Sequence, residues 1–199
     1  MQNPFKDSQL ALVGIQASLK AGEILRQGFG STFEIQSKTG CQDLVTEYDR
    51  SAEKVIIEYI QSHFPDHGFL AEESGSSTDN QTEVLWIIDP LDGTMNFAHN
   101  IPIFAVSIAA FVQKEVELGI IYQPINDELF IALKGQGAYL NGKKIIVSAV
   151  KEMGSAVAAT GFPYNLDERR ESTKQFNKML EVGNPIRILG SAAITLDRK

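Results

Sequence analysis

The sequence predicts an α+β fold, and three observations predict it. Strand-like and helix-like hydrophobic patterns are interleaved without strict alternation. Two apolar runs, 103–112 and 116–122, flank a polar turn and read as neighbouring antiparallel strands. Asn141-Gly142, set between apolar segments, is a strong hairpin signal.

The elements follow in chain order. Ser8 is placed to cap a first helix with Leu10, Val13, Ala17, Ala21, Ile24 and Leu25 on one face, and Gly28 and Gly30 end it. A second helix covers about 49–64, where Ala52, Val55, Ile56, Tyr59, Ile60 and Phe64 recur at helical spacing before Pro65. Residues 84–88 form a short apolar run that breaks at Asp89-Pro90 and reads as a buried strand. Strands follow at 103–112, 116–122 and 128–133, then the hairpin of 138–140 with 143–147. Beyond it lie a strand at 156–160, a helix at 167–180, a strand at 186–189 and a helix from Ser191. The hairpin's end marks a boundary between an N-terminal α+β domain, 1–147, and a C-terminal α/β domain, 148–199.

Bulk properties narrow the function. The chain has 199 residues, enough for one core or two small ones, and 43% are hydrophobic, an ordinary globular fraction. A net charge of −7 repels phosphate backbones, so no nucleic-acid partner is expected. Cys41 is the single cysteine, so neither a disulfide framework nor a cysteine-based zinc site can form within the chain. No signal-peptide pattern opens the chain and no apolar run has membrane-spanning length, so a cytoplasmic location away from membranes is expected. Asn80-Gln81-Thr82 is a glycosylation sequon that has no meaning without secretion.

Acidic residues at strand ends carry the chemistry. Residues 84–88 deliver Asp89 and Asp92 into one turn, where Pro90 restricts φ and Gly93 permits close approach of a ligand. Carboxylates three residues apart suit a hard cation, and the Leu91 carbonyl and Thr94 hydroxyl add oxygens. A helix starting near Gly93-Thr94 would aim backbone N–H groups at an anion. The competing reading is an ordinary Asp-Pro-x-Asp-Gly turn. Glu72-Glu73 follows Phe69-Leu70-Ala71 at another strand end, and as plain structure it is a solvated loop. Asp49 reads equally as a helix N-cap. His63 and His67 bracket Pro65 at a helix end, where a cation complements the dipole. His99 and Arg169-Arg170 read as surface residues. No Ser-His-Asp arrangement is readable.

These motifs together resemble the inositol monophosphatase family. Asp89-Pro90-Leu91-Asp92-Gly93-Thr94-Met95-Asn96-Phe97 matches its first signature. Ala71-Glu72-Glu73-Ser74 matches the upstream glutamate motif, and Asp43 to Asp49 the motif before it. Gly135 to Gly142, Thr160 to Pro163 and Gly190 to Ala193 match later segments, in order, over nearly the whole chain. The resemblance implies a layered αβαβα sandwich, shared with fructose-1,6-bisphosphatases, and a Mg²⁺-dependent phosphatase. Glu72, Asp89 and the Leu91 carbonyl would hold a first Mg²⁺, and Asp89 with Asp92 part of a second site. Thr94, supported by Asp49 and Glu72, would orient the attacking water. The N–H groups of Gly93 and Thr94 would hold phosphate, Asp92 would also bind substrate, and Ala192 falls where the family contacts the sugar ring.

One departure stands out. The family's later Trp-Asp motif, whose aspartate completes the second metal site, is absent, because the only tryptophan is Trp86. The expectation is therefore a fold lacking its C-terminal part, with weak activity. The expected reaction is hydrolysis of a small polyol phosphate, foremost myo-inositol monophosphate. NADP or sugar-bisphosphate hydrolysis, or a relic acting only by binding, are the alternatives. Expected partners are the phosphorylated polyol and, as a further candidate, a second copy of the chain.

Overall fold

The computed structural model describes residues 5, 8–32, 35–37, 44–77, 82–163 and 165–197. Cys41, Asp43, Asn80 and Gln81 lie outside them. The elements run α1 Gln9–Gly28, β1 Ile35–Ser37, β2 Leu44–Thr46, α2 Glu47–His63, β3 Gly68–Ala71, β4 Gly75–Ser77, β5 Val84–Asp92 and α3 Thr94–Ala98. They continue with β6 Ala105–Val112, β7 Glu115–Gln123, β8 Glu128–Leu133, β9 Gly137–Leu140 and β10 Lys143–Ile145. After these come β11 Ala158–Ala159, α4 Leu166–Glu181, β12 Ile186–Arg187 and α5 Ala192–Asp197.

Eight strands form one mixed sheet in the order β10-β9-β8-β7-β6-β5-β3-β4. Every neighbouring pair is antiparallel except β3 and β5, which run parallel. Strand alternation sorts the two faces. Trp86, Ile88, Val106, Ile108, Leu118, Ile120 and Tyr122 form one core with α1 and α2. Ala105 and Ile121 point the other way and pack with Ala193 and Ile194 of α5. Helices therefore cover both faces of a mixed sheet, the layered α+β arrangement expected. No helix among the described residues is long and apolar enough to cross a membrane.

Several local expectations change in the structure. The cap of α2 is Thr46, not Asp49, and Asp49 occupies the third helical position of a capping box. Its side chain can then bind back to the Thr46 N–H, which a residue at the cap itself cannot do. Strand β5 does not break at Asp89-Pro90 but continues to Asp92, with a register irregularity between Asp89 and Asp92. Pro90 lacks an N–H, and that irregularity removes the demand for one. His67 is no cation at a helix end. Its Nδ1 accepts a 2.9 Å hydrogen bond from Nε1 of fully buried Trp86, and burial lowers its pKa. Arg169 is not merely solvated, since its Nε donates to the Pro163 carbonyl at 3.0 Å. Strands β1, β2 and β4 are too short to leave a periodic signal.

Close packing explains the glycines inside α1. A Cβ on Gly22 would lie 2.3 Å from Cε1 of Tyr122, and one on Gly14 would lie 2.7 Å from Cδ1 of Ile120. Alanine favours a helix interior by about 1 kcal/mol over glycine. Gly22→Ala is nonetheless expected to destabilise the protein by about 1–3 kcal/mol, because the Tyr122 ring has no room to retreat. Equilibrium unfolding in urea measures this, and unchanged or raised stability would show that the ring yields.

Candidate active site

Register brings the first two carboxylates together. Parallel pairing of β3 with β5 sets Ala71 opposite Ile88, so the next residues, Glu72 and Asp89, emerge side by side. The Glu72 N–H holds the Ile88 carbonyl at 3.1 Å and keeps the strand ends in step. The two side chains share a hydrogen bond. Burial pushes the Asp89 carboxyl up to about 8, and the charges of Glu72 and Asp92 push the same way. The Leu91 N–H, 3.1 Å from Asp89 Oδ1, opposes that shift.

Asp49 forms a second junction. Its Oδ2 accepts from the Thr46 N–H at 2.8 Å and the Thr46 hydroxyl at 2.6 Å. Its Oδ1 accepts from Thr94 Oγ1 at 3.1 Å. Burial raises the Asp49 pKa, and the hydrogen bonds from Thr46 and Thr94 counter it. Thr94 Oγ1 also lies 2.9 Å from the Leu91 carbonyl, so one hydroxyl proton serves two acceptors. Asp49 thus completes the capping box of α2 from its third position and binds the Thr94 hydroxyl with its other oxygen.

Gly93 turns the chain between β5 and α3. Its φ is +97°, and a Cβ there would lie 3.0 Å from the Ile103 carbonyl and 3.4 Å from that of Gly190. Only glycine meets both demands. The first-turn N–H groups of α3 have no acceptor within the helix.

Asp92 is tied to the C-terminal segment. Its carboxylate accepts from the Ser191 hydroxyl, from the Ala192 N–H at 3.2 Å and from the Ala193 N–H at 2.9 Å. It therefore holds the start of α5, and its effect on Asp89 is electrostatic. Among the described residues no three His, Cys, Asp or Glu side chains converge to hold one ion unaided. The donors present are carboxylate and carbonyl oxygens, and burial together with the charges of Glu72 and Asp92 lifts Asp89. That set fits a hard dication that completes its shell with water, as Mg²⁺ does.

A cavity of about 640 Å³ opens beside Asp92, bounded by Met95, Thr160, Phe162, Ser191 and Ala192. Asn96 braces it, since its amide donates to the Ile103 carbonyl at 2.7 Å and the Leu189 carbonyl at 2.8 Å. Sequence reading missed two further residues. Ser191 binds Asp92 across 99 positions, a distance at which spacing gives no signal. Glu53 is buried and accepts from the N–H groups of Glu73 and Ser74. Its signal was legible, because it interrupts an inward stripe of Asp49, Ala52, Ile56 and Ile60.

The Asp89 shift sets a pH dependence. Its folded value, about 8, lies above the ordinary 3.8, so the folded chain holds a proton that the unfolded chain releases. That contribution is full below about pH 4 and is lost as pH rises toward 8. In chelator, the melting temperature is expected to fall across this window, and Asp89→Asn to flatten the slope. Thermal unfolding at a series of pH values checks it. An equal slope in the variant would clear Asp89 of responsibility.

Comparison with known proteins places this site. The model described as the inositol monophosphatase family matches residues 6–197. Inositol monophosphatase 3 of Solanum lycopersicum is 41% identical, over 92% of this chain and 70% of the relative. Nus factor SuhB of Haemophilus influenzae is 38% identical, over 92% and 70%. The crystal structure of extragenic suppressor protein suhB from Bartonella henselae shares 39% identity and a TM-score of 0.90, over 95% of this chain and 73% of that one. With a family match across almost all of its length, this chain belongs to the inositol monophosphatase family, a family of phosphatase hydrolases.

Proposed function

We propose that the chain hydrolyses the phosphate monoester of a small polyol with Mg²⁺ as cofactor, and that myo-inositol monophosphate is the preferred substrate. The observation that carries this reading is the adjacency of Glu72 and Asp89, two carboxylates held together with Asp89 raised to about 8. Such a pair suits a cation that cancels the charge. Glu72, Asp89 and the Leu91 carbonyl would hold one Mg²⁺, and Asp89 with Asp92 would contribute to a second. When bound, the metal neutralises the phosphate dianion and lowers the pKa of the attacking water.

The chain's own groups supply the rest. The Thr94 hydroxyl donates toward Asp49, which leaves its lone pairs to receive a proton from water. The raised pKa of Asp49 suits it to share that proton, and Glu72 would support the same step. Backbone N–H groups of Gly93 and Thr94 would hold phosphate oxygens at the start of α3. Water attacks phosphorus as the bond to the sugar oxygen breaks, and that oxygen then takes up a proton. No covalent intermediate is required. The cavity beside Asp92 and Ala192 falls within the usual size range of small-molecule sites, about 300–1,000 Å³.

A second reading follows from the relatives' descriptions. The chain is nearly as similar to a Nus factor SuhB as to an inositol monophosphatase, 38% against 41%. Under that reading the chain acts as a Nus factor rather than through turnover.

Phosphate release from myo-inositol monophosphate, NADP and a sugar bisphosphate, with Mg²⁺ and with chelator, separates these readings. Mg²⁺-dependent release that is fastest with inositol monophosphate is expected. No release from any substrate would favour the second reading. Glu72→Gln keeps shape and removes charge, and is expected to lower kcat by about 10²–10⁴-fold with little change in KM. A near-normal kcat at saturating Mg²⁺ would remove Glu72 from the mechanism.

A further inference from the structure

Glu72 sits in a poor place to be rigid. It is exposed, it begins a turn at the end of the four-residue strand β3, and the three-residue strand that follows lies at the edge of the sheet. Gly75, with φ of +78°, completes that turn. Edge turns of this kind open readily, because few packed side chains tie them down. A carboxylate that must meet Asp89 needs something to hold its backbone.

Helix α2 provides it. Glu53 is 3% exposed, and its carboxylate reaches past the strand ends to the turn. Oε2 accepts from the Glu73 N–H at 2.7 Å, and Oε1 accepts from the Ser74 N–H at 2.9 Å. Each oxygen takes one amide, so the pair fixes orientation as well as distance. Hydrogen bonds from N–H to an ionised carboxylate are among the shorter and stronger kinds. A buried carboxylate is costly unless its acceptors are used. Glutamine at the same place would offer only one acceptor oxygen to two donors.

Glu53 also couples two parts of the site. It lies one helical turn after Asp49 on the same inward stripe, and Asp49 holds Thr94. One face of α2 therefore sets the water-orienting hydroxyl through Asp49 and the Glu72 turn through Glu53.

We propose that Glu53 is a positioning residue for the Glu72 carboxylate: by clamping the Glu73 and Ser74 amides it holds Glu72 against Asp89 and so sets the affinity of the site for its divalent cation. The inference rests on the metal reading given above, and its test separates the two. Glu53 touches neither substrate nor reacting atoms.

Glu53→Gln is the informative variant, because it keeps volume and turns one acceptor into a donor. Hydrogen exchange in chelator reads the clamp without metal. Exchange of the Glu73 and Ser74 amides is expected to accelerate on the order of tenfold or more, while amides of β6 and β7 keep their rates. Mg²⁺ titration of phosphate release then reads the consequence. Partners that orient metal ligands typically contribute about 10–100-fold to affinity, so half-saturating Mg²⁺ is expected to rise by about that factor, with a smaller loss of turnover at saturation. A residue with only a structural role would lower the melting temperature and leave half-saturating Mg²⁺ where it was. If Glu53→Gln does not fold, Glu53→Asp, whose shorter reach also misses the amides, takes its place in both measurements. Unchanged exchange at residues 73 and 74 in a folded variant overturns the clamp. Faster exchange with unchanged Mg²⁺ dependence overturns its link to the metal. A parent protein with no Mg²⁺ dependence overturns the metal reading, and the exchange result still decides the clamp.

Discussion

The parallel pairing of β3 with β5 is the constraint on which the rest of the site depends. Two residues that are far apart in the chain become neighbours because parallel strands advance together, one residue for one. Ala71 opposite Ile88 means that Glu72, just past the end of β3, and Asp89, still within β5, lie side by side. A slip of one residue would turn one of them to the opposite face. The register is secured by burial on both sides, since Phe69 and Ala71 on β3 and Trp86 and Ile88 on β5 belong to the same core. The geometry of the candidate site is thus a by-product of hydrophobic packing some residues away.

Around that pair the structure reuses backbone polarity. Asp49 completes the capping box of α2 and reaches Thr94 with its other oxygen. Asp92 holds the start of α5 through Ser191, Ala192 and Ala193. Glu53 holds the turn after β3. In each case an acidic side chain satisfies amides or hydroxyls that secondary structure leaves unpaired. A carboxylate is an efficient choice, because it accepts several hydrogen bonds without offering a donor. These contacts also concentrate negative charge at the ends of β3 and β5, which is the condition a hard cation requires. Structural acceptors and prospective ligands therefore belong to one network.

The link through Asp92 has a consequence for the order of folding of the site. Its partners lie about a hundred residues further along, at the start of α5, and Asn96 bonds the Leu189 carbonyl beside them. A Cβ at Gly190 would fall 2.8 Å from the Asn96 amide, so the approach of this loop depends on glycine there. The cavity wall between Asp92 and Ala192 exists only once the two segments meet.

Much of the fold is legible in the sequence. Period 3.6 in 49–64, alternating or continuous apolar strands and the Asn141-Gly142 turn are local patterns, and local patterns survive in a linear string. The linked motifs around Glu72 and Asp89 likewise point to the family and to the acidic residues of the site. Strands β1, β2 and β4 escape because three residues cannot display a period. The passage of β5 through Pro90 escapes because proline ordinarily ends a strand, and only the irregular pairing with β6 removes the need for its missing N–H. By itself, then, the sequence determined the α+β class and the family, and it named the residue types of the candidate site. Tertiary structure decided which of those residues touch: Glu72 with Asp89 through register, Asp49 with Thr94, Asp92 with α5, and Glu53 with the turn after β3. Those contacts join residues 17 to 101 positions apart, and no pattern within one segment encodes a distance between two.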